Sequence, residues 1–365
     1  MEKNRSKGRN GEIDFLRFVF ATVVVLFHFN ATYHYGHFYN GAVGVEFFFL
    51  VSGVLMARKA DLLYKSAAPA PHRGNNIPEQ TCEFLKGKLG VFYTYLLVCA
   101  VFQLIFRRIL LERWNLAVTC REIIKSIPSF LMINMAGMYT NGGAEIGGSW
   151  YLSAMILGML LLFPLLLLNY EWAAKIIMPI IGIFGLGYVY LSCAHIMAVD
   201  GRAGIFYGGM LRGTGELAIG VCAYEIGKKL AQISFTKLAE ILLTLVKFIC
   251  YAVVLVFAYS AWEGKYDLYA FIFCAAGVTL SFSGVGWSMP DYPVTRWLGK
   301  VSLPVFLIHS AVKGISVDLF GNEVDSWMRI ATLAASYVIA VAVMYISDGI
   351  RAFMKKHKNI FIQTA

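Results

Sequence analysis

The chain has 365 residues, of which 58% are hydrophobic and 15% charged, and its mean hydropathy is +0.64. A soluble domain carries about 25% charged residues, so a water-facing surface of this size is excluded, and an aromatic content of 15% excludes disorder. The net charge of +10 is that of a nucleic-acid binder, but the Lys and Arg fall in short clusters between apolar runs. That is the pattern of a polytopic membrane protein obeying the positive-inside rule, with no nucleic-acid partner. The seven Cys are scattered and most lie inside apolar runs, so free thiols are expected and no metal site is.

A membrane span needs roughly 20 mostly apolar residues. In chain order the sequence predicts ten, near 13–33, 43–57, 89–106, 149–169, 176–195, 204–226, 239–262, 266–286, 301–317 and 327–349. The fold class is therefore all-α, a single transmembrane domain over 1–365 with short basic tails. The first run follows Lys3, Arg5, Lys7 and Arg9, contains Asp14, Arg17 and His28, and lacks a small-residue cleavage site, so it reads as an uncleaved span. With the N-terminus inside, 20 of the 32 Lys and Arg fall on the cytoplasmic side, among them Arg73, Lys86, Lys88 and Lys358. Seven fall outside, five of them (Arg107, Arg108, Arg113, Arg121, Lys125) in the loop 107–148. Both termini are thus expected in the cytoplasm, in the inner membrane. Segment 123–139 reads as an interfacial or re-entrant helix; a span there would invert everything after it.

Ionisable residues at membrane depth are costly and mark candidate sites. Arg17 and His28 are eleven residues apart, which at 100° per residue puts both on one helix face, about 16 Å apart along the axis. Asp14 lies one turn before Arg17, within pairing reach. A histidine is suited to moving a proton near neutral pH; the plainer reading has His28 bonding a neighbouring helix and Arg17 snorkelling to lipid phosphates. Glu46 opens the second span as an acid/base group or an interface carboxylate, and Ser52-Gly53 permits close helix approach. Arg212 and Glu216 are i, i+4 and pair, either as glue between helices or as a contact to substrate. His309 lies about eight residues into the ninth predicted span, nearer the membrane centre than His28. His34, His37, His72 and His195 read as solvated.

These segments resemble the acyltransferase 3 family of membrane O-acyltransferases, many of which O-acetylate bacterial polysaccharides. Ile13–Arg17 through Val25–Phe29 is similar to its first-helix signature with the Arg-x10-His spacing, and Gly44–Met56 (GVEFFFLVSGVLM) to its second-helix motif. Gly148–Leu166, with Trp150 and Ser153 in its Trp-x-Leu-Ser, Arg212–Gly220, and Leu298–His309 (LGKVSLPVFLIH) resemble three later motifs in the same order. Two departures stand out. The Glu that commonly follows Trp-x-Leu-Ser is absent, and the basic start of the third span is reduced to Lys86 and Lys88.

The resemblance implies an acyl-CoA donor from the cytoplasm, most simply acetyl-CoA, with no permanently bound cofactor. It implies a hydroxyl on an extracytoplasmic glycan or lipid-linked saccharide as acceptor. His28, Arg17 and Glu46 are the expected catalytic residues. Asp14, Ser52, Lys86, Lys88, Trp150, Ser153, Arg212, Glu216 and His309 are expected around donor and substrate. Membrane lipid and a second copy of the chain are the remaining candidate partners. The competing reading, a transporter or flippase for a lipid-linked glycan, predicts inverted repeats or paired interrupted helices, and the sequence has neither.

Overall fold

The computed structural model describes residues 9–66, 76–106, 115–138 and 146–363, with side chains up to 356 except at Val118. Lys3, Arg5, Lys7, His72, Arg73, Arg107, Arg108, Arg113 and the side chain of Lys358 lie outside the described residues. The architecture is all-α. Helix α1 (Gly11–Tyr33) is capped by the Asn10 side chain, which accepts the Ile13 N–H at 3.2 Å, with Glu12 and Asp14 in the first turn against the helix dipole. A 3-10 turn (Gly41–Val43) leads into α2 (Gly44–Ser66); α3 (Ile77–Gln103) and α4 (Leu116–Phe130) follow. Then come α5 (Ser149–Leu168) and a helix that passes from α6 (Tyr170–Trp172) through a π turn (Ala173–Ile177) into α7 (Met178–Cys193). A two-residue hairpin (β1 Arg202–Ala203, β2 Phe206–Tyr207) precedes α8 (Gly208–Leu230), and α9 (Lys237–Tyr259), α10 (Asp267–Ser283), α11 (Pro293–Phe320) and α12 (Ser326–Gln363) complete the bundle. All seven cysteines are unpaired thiols.

Among the described residues nine helices are long and apolar enough to cross a membrane. The predicted span missing from these nine is the sixth, α8, which fails on composition because it carries Arg212, Glu216, Glu225, Lys228 and Lys229. It is nonetheless 23 residues long, about 34 Å, and it packs against α2, α5, α7 and α10. A helix walled by helices needs small residues and paired charges rather than an apolar surface. At its crossing with α2, a Cβ on Gly220 would meet the Leu50 carbonyl at 2.5 Å and the Gly53 Cα at 2.8 Å, so both glycines are needed for this approach.

Two expected helix starts move. The third helix begins at Ile77 rather than near 89, and the eleventh at Pro293 rather than near 301. Both have polar, amphipathic first turns that extend past the apolar run used to place the span. Segment 123–139 falls partly in α4, whose 15 residues (about 22 Å) are too few to cross. The packing of α4 is inverted relative to a soluble helix: Thr119, Ser126 and Ser129 are buried, while Leu116, Ile123, Ile124 and Ile127 are exposed. Arg121 and Lys125 are exposed beside them, so the outer face of α4 mixes apolar and basic side chains.

Where α1 begins, a polar network ties three helices together. Lys247 of α9 pairs with Glu12 at 2.8 Å and donates to the Trp287 carbonyl at 2.7 Å, while Ser281 of α10 donates to Glu12 at 2.6 Å. Lys247 and Glu12 are both buried.

Candidate active site

The site is built on α1 and α11, which run parallel. Asp14 lies against Gly299, whose Cβ would sit 2.6 Å from Asp14 Oδ1, and further along Lys313 reaches the His28 carbonyl. Counted from the helix starts, His28 is 17 residues along α1 and His309 16 residues along α11, or about 26 and 24 Å. The two imidazoles therefore stand at one depth, with ring centroids 5.0 Å apart. The expectation that His309 lies nearer the membrane centre is corrected, because α11 starts eight residues earlier than its apolar run.

The two histidines differ in their bonding. His309 is fully buried, its Nδ1 3.1 Å from the Val305 carbonyl and its Nε2 3.2 Å from Ser310 Oγ. A carbonyl only accepts, so Nδ1 carries the hydrogen and Nε2 accepts from Ser310. His28 is half-buried, and among the described residues neither of its ring nitrogens is hydrogen-bonded. One imidazole is held, the other free. The turn before α5 closes over this pair, with Gly147 and Gly148 against Ser310 and Phe306 of α11.

Toward the start of α1 the same face opens into a cleft of about 280 Å³ lined by Arg17, Ser52, Lys88, Tyr151, Ser302 and Phe306, with further apolar side chains. Arg17 is 3.7 Å from Asp14, whose carboxylate also takes the Arg9 guanidinium. Phe306 separates the cleft from the histidines: its ring is 5.5 Å from Tyr151, 6.2 Å from Phe48 and 6.2 Å from His309. Cations at one end, free imidazole at the other and an aromatic wall between them suit an anionic ligand with a long arm.

The remaining expected residues lie elsewhere. Arg212 is fully buried, with NH2 3.0 Å from Glu46, Nε 2.9 Å from Glu216 and NH1 donating to the Met197 carbonyl at 3.0 Å. Trp150 lies against its guanidinium at 5.6 Å. Glu46 thus joins α2 to α8 and does not face His28. Ser153 is buried, accepting the Met135 N–H at 3.1 Å. Lys86 points to the exterior while Lys88, two residues on, lines the cleft. His34 and His37 are exposed, and His195 is 41% exposed with Nδ1 4.0 Å from Asp267. Among the described residues no group of three or more His, Cys, Asp or Glu is arranged to hold a metal ion.

Sequence reasoning missed Tyr151, Ser302, Phe306 and Lys313 as neighbours of the site. Tyr151, Ser302 and Phe306 lie inside the quoted motifs, but an apolar run does not tell which residues face a cleft. The signal for Lys313 was its charge within a span.

The fold is that of a multi-pass helical membrane protein, with a basic cleft at one end of α1 and α11 and, beyond Phe306, a histidine pair. The model of the acyltransferase 3 family, described as an acyltransferase domain, matches residues 10–348. The chain belongs to this family, and it is a multi-pass membrane acyltransferase. No curated protein and no solved structure matches it.

Proposed function

We propose that this acyltransferase moves an acetyl group from cytoplasmic acetyl-CoA to a hydroxyl of an extracytoplasmic glycan or lipid-linked saccharide, with His28 as general base. The observation that carries the reading is the pairing, on one face of α1, of a free imidazole with a basic cleft about 16 Å away. The cations Arg17 and Lys88 suit the phosphates of coenzyme A. The charge asymmetry of the loops supports a cytoplasmic opening for that cleft. The pantetheine arm would then carry the thioester past Phe306 to the histidines. His28 takes the hydroxyl proton as oxygen attacks the thioester carbonyl, and returns it to the departing thiolate. His309, tied to Val305 and Ser310, holds the far side of the pair. The apolar enclosure keeps water from the thioester.

The test is transfer of label from acetyl-CoA into surface glycans in membrane vesicles, compared with vesicles lacking the protein. Mass spectrometry of those glycans identifies the acceptor. Equal labelling in the two vesicle preparations overturns the reading.

A further inference from the structure

Five Lys and Arg lie within the predicted spans, and four have evident partners. Arg17 is beside Asp14, Arg212 is between Glu46 and Glu216, Lys247 is on Glu12, and Arg329 donates to the Val324 carbonyl. Lys313 is the fifth. It sits one turn beyond His309, and its Nζ donates to the His28 backbone carbonyl at 3.4 Å. Among the described residues no carboxylate lies within ion-pair distance of it. Helical side chains lean toward the helix N-terminus, and the half-buried Lys313 brings its Nζ back to the level of His28. An ammonium has three donors, and the His28 carbonyl uses one.

We propose that Lys313 holds the oxyanion that forms during acyl transfer; this rests on the acyltransferase reading with His28 as base. The hydroxyl oxygen bonds to the thioester carbon as His28 takes its proton, and the carbonyl electron pair moves onto oxygen, where the Lys313 ammonium binds it. The pair then returns, the carbon–sulfur bond breaks, and the thiolate recovers the proton from the imidazolium. No oxidant or further reactant is needed. A cation fixed beside the reacting carbon before charge develops is worth most in a site closed to water.

The experiment uses full-length protein in membrane vesicles with their own acceptor, and labelled acetyl-CoA as probe. Lys313→Met is expected to lower the saturated transfer rate about 100-fold while the KM for acetyl-CoA stays within twofold. Lys313→Arg is expected to recover part of that rate. Unchanged transfer in Lys313→Met, with His28→Ala inactive, overturns the proposal and leaves the acyltransferase reading intact. Loss of acetyl-CoA binding in Lys313→Met assigns the residue to structure, and a loss reversed by more acceptor assigns it to acceptor binding; either overturns the oxyanion role. Transfer that persists in His28→Ala defeats the reading beneath it.

Discussion

Arg212→Met tests whether the buried charge cluster is structural. Arg212 has no exposed surface, and its donors are used by Glu46 at 3.0 Å, Glu216 at 2.9 Å and the Met197 carbonyl at 3.0 Å. Methionine fills much of the volume but leaves two carboxylates close together with no cation between them. Breaking a buried pair by removing one partner costs about 3–5 kcal/mol, and here one removal strands two acids and the carbonyls of Met197 and Ala42. The assay is thermal unfolding of the purified protein by tryptophan fluorescence, with Lys265→Met as comparison, since Lys265 pairs with Glu263 on the surface at 50% and 70% exposure. Arg212→Met should lower the midpoint strongly and Lys265→Met leave it unchanged. Adding Glu46→Gln and Glu216→Gln to Arg212→Met removes the stranded charges and should restore most of the midpoint, with activity following the folded fraction. Equal midpoints for Arg212→Met and Lys265→Met would refute the structural role. A restored midpoint without activity would instead place Arg212 on the substrate.

Three further outcomes are expected. His28→Ala abolishes transfer, by about 100-fold or more, while the protein still inserts and binds acetyl-CoA; His309→Ala leaves measurable activity, and full activity in a stably inserted His28→Ala would overturn the mechanism. Arg17→Ala weakens acetyl-CoA binding by roughly tenfold or more, the loss of one charge-assisted contact to phosphate, and unchanged affinity by equilibrium binding would reject the donor role. A reporter fused after residue 360 is active only on the cytoplasmic side; activity outside would point first to segment 107–148.

The sequence by itself determined the membrane class, nearly all the helices and the shared face of Arg17 and His28. Each of these follows from local quantities: apolar run length, charge clustering and the 100° helical step. The ordered motifs also carried the family, since they lie in one chain and need no contact map. Only the tertiary structure decided which polar groups meet. His28 and His309 are 281 positions apart and come into contact because α1 and α11 are parallel with matched starts. That match was hidden by the polar first turns of α11, which hydropathy assigns to a loop. Glu46 reads in sequence as a carboxylate at a helix end; packing of α2 on α8 turns it into half of a buried pair with Arg212. Lys313 looks like any charged residue near the end of a span until the fold sets its ammonium against the His28 carbonyl. Periodicity tells which residues share a face of one helix. Which face of another helix they meet depends on crossing and register, and these are set by close contacts such as Gly53 on Gly220, between residues 167 positions apart.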